Sequence, residues 1–275
     1  VIVFPQNLIL ILKTGEDCWW VKIFKIQQPI KLKLLKVEVP IMILTSAIFK
    51  DLKKFNQRPD YALEKINSIE LEKLIPFFEE LPADPYLQEN YRFRRLSRFQ
   101  LVDNRLIKLP HSPLFQSQEY NPLLGDLVRE YPELKEGLIE LEEFQKIVRE
   151  FGDFCQINST SNEIGVHQIR TTASLTQAGL PAPEGIHRDG VDVVGIFCVN
   201  REGIEGGITF LYPSPEENPT FSKILNGGEF LLFNDRQFFH FTNPIQALSP
   251  QGGVRDVFVL TCPGLIAPKT DQSNN

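Results

Sequence analysis

The sequence predicts an α+β chain in which helices precede and support an antiparallel β-sandwich or barrel. Three observations carry this. Apolar residues recur at helical spacing between Met42 and Phe151; short runs rich in Val, Ile, Phe and Thr follow from Glu163 onward; and the two kinds of segment are not interleaved as a parallel α/β fold would need.

Taken in order, Ile43, Leu44, Ile48, Phe49, Leu52 and Phe55 form one helical stripe with Ser46 as its cap. A second helix is expected over about Ala62–Phe77, ended by Pro76 and Pro82, and a third over about Glu133–Phe151, where Leu134, Leu138, Leu141, Phe144, Ile147 and Val148 share a face. Between them, Tyr91 to Phe99 alternates aromatic and basic residues. As a strand it would set Phe93, Arg95, Ser97 and Phe99 on one side, so that an arginine reaches a pocket, or it would be a solvated edge strand. Lys108 to Asn121, with Pro110, Pro113 and much Ser, Gln and Asn, reads as an irregular loop. Strands are expected at Gly165–Thr172, Val191–Val199, Gly207–Tyr212, Glu229–Asn234, Gln237–Thr242 and Arg255–Cys262. Gly206-Gly207 lacks the Lys-Ser/Thr of a phosphate loop and is expected to be a turn entering a strand; Asn226-Gly227-Gly228 is the turn before another.

Composition narrows the function. With 42% hydrophobic and 23% charged residues the 275-residue chain is neither disordered nor a disulfide scaffold, and its net charge of −6 gives no basic footprint for nucleic acid. Residues 1–41 carry +3, leaving −9 for the remainder, and the single methionine is Met42. Residues 1–41 are therefore expected to be an extension, either native or created by a start-codon choice upstream of Met42. The apolar run Leu8 to Leu12 is too short to span a bilayer and lacks the preceding positive charge of a secretory signal, so no membrane association and a cytoplasmic location are expected. Cys18, Cys155, Cys198 and Cys262 contain no C-x-x-C pair and are expected as reduced, mostly buried thiols.

Three of the four histidines, His167, His187 and His240, lie in the strand-rich half, whereas His111 sits in a Pro-flanked loop. His187-Arg188-Asp189 places two metal-ligand types at i and i+2, which point the same way on extended backbone, and His240 can approach from a neighbouring strand. Two imidazoles and a carboxylate on one face of a metal leave positions open, the arrangement of non-haem Fe(II) oxygenases. The tripeptide alone is a weak signal. Arg255, 15 residues after His240, adds a guanidinium that could pair with a dicarboxylic cosubstrate.

The run Pro183-Glu184-Gly185-Ile186-His187-Arg188-Asp189-Gly190-Val191-Asp192, then Glu205-Gly206-Gly207, Phe239-His240 and Arg255-Asp256, with Val166-His167-Gln168-Ile169-Arg170 before them, resembles the bacterial 2OG-Fe dioxygenase family of free L-amino-acid hydroxylases. The likeness covers about residues 85–262 and is dense from 163 to 262. It implies a double-stranded β-helix (jelly-roll, cupin-like) core over 161–265, helical support over 42–160 and a disordered tail at 266–275, all in one dioxygenase domain. It also implies His187, Asp189 and His240 as Fe(II) ligands, 2-oxoglutarate and O2 as cosubstrates, and Arg255 on the far carboxylate of 2-oxoglutarate. Wider relatives carry a hydroxyl two residues after this arginine; here Val257 stands there, and Thr209, Tyr212 or Thr242 is left to supply it. Gln168, Arg170 or Arg95 is expected to hold a substrate carboxylate. Asp189 argues against a halogenase, in which this carboxylate is replaced to admit halide.

The expected reaction is hydroxylation of an aliphatic L-amino acid such as leucine, isoleucine or methionine, with succinate and CO2 released. The same chemistry on a peptide or another small metabolite, and a β-sandwich that binds a small molecule without turnover, are the alternatives. A homodimer is compatible with the sequence. His167 is either a buried structural histidine or a pocket residue, and His111 is expected to be inert.

Overall fold

The computed structural model describes residues 60–103 and 105–265 with their side chains, and residues 2–4, 7–13 and 19–25 as backbone. The chain forms two compact units, Val1–Met42 and Ile43–Asn275. In the first, β1 (Ile2–Phe4), β2 (Asn7–Lys13) and β3 (Trp19–Lys25) make an antiparallel meander, which the sequence reading did not anticipate. The expected helix at 43–55 with its Ser46 cap, Cys18 and the tail at 266–275 lie outside the described residues.

The second unit is built from β4 (Tyr61–Lys65), α1 (Ile75–Glu79), β5 (Arg92–Val102), β6 (Arg105–Lys108), α2 (Glu136–Ile139), α3 (Glu142–Asn158) and β7 (Glu163–Ala173). There follow β8 (Val193–Glu202), β9 (Ile204–Gly206), β10 (Ile208–Tyr212), β11 (Phe221–Ile224), β12 (Glu229–Asn234), β13 (Phe239–Thr242), β14 (Ile245–Ala247) and β15 (Gly253–Cys262). A seven-stranded sheet has the order β4-β12-β8-β15-β7-β5-β6; β11-β10-β13 and β14-β9 form two smaller sheets, and every pairing is antiparallel. The non-sequential order within the large sheet is that of a rolled double sheet rather than a meander, the jelly-roll architecture expected.

The helical half departs from expectation. Tyr61–Lys65 is not the start of a helix but an edge strand paired with Glu229–Phe233, because five backbone hydrogen-bonding positions and a buried Ala62-Leu63-Glu64 stretch outweigh its helical spacing. Pro76 opens α1 rather than ending a helix, since proline suits the first helical turn, where no N–H partner is needed. The helix expected over 133–151 is broken at Leu141, whose backbone is extended, and its second part runs on to Asn158. Two strands, β4 and β6, therefore come from stretches where none is expected, and β5 forms where the alternation of Tyr91 to Phe99 allows one. The basic-aromatic stretch is an interior strand between β7 and β6, not a solvated edge.

β8 reads Val-Val-Gly-Ile-Phe-Cys-Val and is buried throughout those seven residues, because both faces of the sheet are covered. On the outer face α3 lays Phe144, Ile147, Val148 and Phe151 against Phe197, Phe230 and Phe258. Gly195 permits this approach: a Cβ there would lie 2.8 Å from the Phe151 ring. On the inner face Ile196, Leu231, Phe233 and Val257 form the second core, beside the cavity. Cys155, Cys198 and Cys262 are buried free thiols, as expected. Among the described residues no helix is long and apolar enough to cross a membrane.

Two consequences are measurable. Phe151→Ala, which empties a fully buried site between α3 and β8, is expected to cost about 3–5 kcal/mol in a denaturant titration. Glu64 faces the same helix; burial, then Glu150 and Asp153, push its pKa from 4.5 to about 8. Folding therefore favours the protonated acid, and the parent loses stability relative to Glu64→Gln as pH rises from about 4.5 to about 8, with no further loss above. Thermal midpoints of both proteins across that range test the sign.

Candidate metal centre

The H-x-D segment has no long strand of its own; it is held by a single antiparallel bridge to β13. His187 N donates to His240 O at 3.1 Å and His240 N to His187 O at 2.8 Å, which sets the two imidazoles side by side with ring centroids 4.2 Å apart. Asp189 follows at i+2 on the same side. His187 Nε2 lies 3.8 Å from Asp189 Oδ1, and His240 Nε2 lies 3.8 Å from Asp189 Oδ2. These separations exceed hydrogen-bonding range, so the three groups converge on a shared point without binding one another. One ligand atom from each falls within 4.8 Å of the others, and all three residues are buried. Burial, and then the neighbouring His187, hold His240 well below the ordinary histidine pKa, leaving it a neutral ligand.

The surroundings fix each group. His187 Nδ1 donates to Gly185 O at 2.9 Å, which turns Nε2 toward the shared point, where Glu184 Oε1 also lies 3.2 Å from this nitrogen. Asp235, buried between β12 and β13, accepts from the backbone N–H groups of Asp189 (3.2 Å), Gly190 (2.8 Å) and Val191 (3.1 Å) and so pins the turn that aims Asp189. Gly190 has φ +80°, and a side chain there would strike the Tyr120 ring at 2.6 Å. Gln116 donates from Nε2 to Asp189 Oδ1 at 3.0 Å, while its Oε1 accepts from Arg129 Nη2 at 2.7 Å and Asn121 Nδ2 at 3.3 Å. A guanidinium can only donate, so this amide has a single orientation and always presents N–H to the carboxylate.

The site opens into a cavity between the inner face of the large sheet and β13. Arg255 lies there, 4% exposed, with Nη2 unpartnered. Gly207, φ +69°, flanks it; a Cβ on Gly207 would lie 3.6 Å from Arg255 Cδ and 2.8 Å from Arg201 Nη1. A buried guanidinium lacking an acceptor, beside backbone bare of a side chain, fits the far carboxylate of 2-oxoglutarate. Thr242 lines the cavity, and Thr209, buried behind it, shares a hydroxyl hydrogen bond with it at 3.0 Å. Tyr212 stacks near Phe210 and is not at the cavity.

Strand alternation corrects the substrate residues. On β7 it is His167, Ile169 and Thr171 that face the cavity. Gln168 points away and donates to Phe77 O at 3.0 Å, and Arg170 is forked onto Asp256 at 2.7 and 2.8 Å. On β5 Arg92 and Arg94 face inward, while Arg95 donates to Glu133 O at 2.8 Å on the other face. His167 is thus a cavity residue. His111 pairs with Glu130 at 2.7 Å on the surface. Asp235, Gln116 and Arg129 brace the site without standing out in the sequence. Asp235, an acid five residues before His240 just past a strand, carries a faint signal; Gln116 and Arg129, in or beside an irregular loop, carry none.

Removing the Gln116 contact leaves Asp189 less firmly aimed. Gln116→Ala is expected to weaken Fe(II) or Co(II) affinity about 10–100-fold, read by anaerobic metal titration.

Comparison with known proteins agrees with this geometry. Residues 75–261 match the model of the 2OG-Fe dioxygenase family. A 3(1)-hydroxy-L-isoleucine 4-dioxygenase of Pantoea ananatis is 25% identical over 202 residues, 70% of this chain and 80% of that protein. An L-isoleucine-4-hydroxylase of Bacillus thuringiensis is 29% identical over 178 residues, 62% and 74% of the two chains. Among solved structures, a bsmA homologue from Methylobium petroleophilum superposes with a TM-score of 0.68 at 26% identity, covering 80% of this chain and 93% of that one. The fold of IDO from Bacillus thuringiensis is also shared, at a TM-score of 0.63 and 20% identity over 78% and 97%. A family match spanning six of the seven strands of the large sheet and the converging His187, Asp189 and His240 makes this chain a member of the 2OG-Fe dioxygenase family, an oxidoreductase dependent on Fe(II) and 2-oxoglutarate.

Proposed function

We propose that the protein hydroxylates the side chain of a free aliphatic L-amino acid, a leucine-, isoleucine- or methionine-like substrate. The observation that carries this reading is the make-up of the cavity: one lining holds the metal triad, an unpartnered Arg255 and the apolar Leu114, Leu124, Ile196, Val257 and Val259. Such a lining suits a small molecule with a charged head and an aliphatic body. The names of the two sequence relatives, both acting on isoleucine or its hydroxylated form, support the same substrate class.

In this reading His187 Nε2, His240 Nε2 and one Asp189 oxygen hold the metal on one side, leaving the other side to ligands. Arg255 takes the distal carboxylate of 2-oxoglutarate in a charge-assisted pair, and the Thr242 hydroxyl, held by Thr209, is the helper donor that Val257 does not provide. Bound iron, with 2-oxoglutarate and O2, supplies the oxidising power that converts a C–H bond to C–OH while 2-oxoglutarate leaves as succinate and CO2. The chain's task is to hold one C–H bond beside the metal and keep water away, which Leu114, Leu124 and Val259 do from the cavity wall. Retention of Asp189 favours hydroxylation over halogenation.

A screen of the 20 amino acids for succinate release tests the proposal: one aliphatic member is expected to stimulate release and to gain one oxygen by mass. Release with none of them would defeat the substrate assignment. In the active pairing, Arg255→Met is expected to raise the KM for 2-oxoglutarate at least about 30-fold, because it deletes one partner of a buried charge pair.

A further inference from the structure

The cavity wall made by β5, β7 and the loop 114–129 carries more positive charge than the iron chemistry uses. Arg92, Arg94 and Arg129 are each no more than 6% exposed. Arg92 is bonded to Asp84 at 3.0 and 2.9 Å. Arg94 Nη1 lies 3.9 Å from the same carboxylate and 3.5 Å from Tyr131 Oη, with its guanidinium over the Tyr131 ring. The Arg129 contact to Gln116 is to a neutral amide. Of the three buried cations only Arg92 is hydrogen-bonded to a carboxylate, Asp84, and Arg92 also feels the cavity-lining Glu184, whereas Arg129 has no carboxylate partner among the described residues; buried cations need anionic partners.

His167 belongs to the same wall. Its Nδ1 contacts Arg94 Nη2, and since the guanidinium donates, the imidazole accepts at Nδ1 and carries its hydrogen on Nε2. Burial, then Arg94, Arg129 and Arg92, hold this histidine well below its ordinary pKa, in keeping with a neutral ring. The result is three buried N–H donors without acceptors, at His167 Nε2, Arg94 Nε and Arg129 Nε, on residues that line one cavity.

The geometry points to Arg94, Arg129 and His167 as the site of the substrate's carboxylate, with the Arg92–Asp84 pair bracing it; this inference rests on the free-amino-acid reading above. A carboxylate has lone pairs to accept from such donors and a charge opposite to that of the two guanidinium groups. Arg129 is one side chain removed from the metal ligand, through Gln116 to Asp189, so a carboxylate held here brings the aliphatic end of a small amino acid toward the iron. A primary amide, or a residue inside a peptide, would leave the guanidinium charge unmatched.

The test uses the whole chain loaded with Mn(II) and 2-oxoglutarate, and isothermal titration with the amino acid of highest succinate release and with its primary carboxamide. The acid is expected to bind at least about 100-fold more tightly than the amide, because the site's buried donors go unmatched with the neutral head. His167→Phe and Arg94→Gln are each expected to weaken the acid about 30-fold and shrink the acid-to-amide ratio, while the 2-oxoglutarate Kd stays within about two-fold. Equal binding of acid and amide to the unaltered protein overturns the inference while leaving amino-acid hydroxylation intact. A loss of 2-oxoglutarate binding in both variants overturns it too, by making this the cosubstrate's site. Should no amino acid release succinate, the substrate reading fails and takes this inference with it.

Discussion

Everything at the metal centre hangs on one pair of backbone hydrogen bonds, those between His187 and His240. Neither histidine is placed by a long ladder at that point: His187 precedes β8 in a segment held only by isolated bridges, this one and Gly179 to Ile245, and His240 sits on the four-residue β13. The bridge brings together residues 53 apart in sequence and sets their rings on one side. Asp235 then converts a flexible turn into a fixed one by collecting three successive backbone N–H groups. Burying that carboxylate, whose pKa burial and then Asp189 push up to about 7, is a cost accepted for the aim of Asp189.

The strands of the β-rich half were readable because their Val, Ile and Phe runs are bounded by Gly, Asn and Pro, and Glu229–Asn234 is found where expected to the residue. The helical half was less readable. Tyr61–Lys65 has ordinary helical spacing, and only its distant partner β12 makes it a strand; no local pattern contains that partner. The metal triad was visible because i and i+2 on extended backbone is a local rule. The substrate-facing residues required knowing which face of β5 and β7 turns inward, and a single-residue parity decides that: Gln168 and Arg170 were expected where His167, Ile169 and Thr171 stand. Arg170 is instead consumed by Asp256 on the opposite face.

Charge is sorted in an unusual way for a chain with net charge −6. Four guanidinium groups gather around the cavity, Arg92, Arg94 and Arg129 on one wall and Arg255 on another, against the lining carboxylates Glu184 and Asp189 and the Asp84 bonded to Arg92. A low-dielectric pocket concentrates such a field, so anionic ligands are drawn inward past an acidic exterior. The metal triad, with one carboxylate for a dication, adds to the same sign.

The loop 114–129 holds Gln116 at one end and Arg129 at the other, tied by the Leu114–Arg129 bridge. The iron ligands come from an entirely different part of the chain. This one irregular stretch thus reaches the cavity wall through Arg129 and the aim of the metal ligand Asp189 through Gln116. A change of length or sequence in this loop is therefore felt at the cavity wall and at the metal centre together, and the two cannot be altered independently through it.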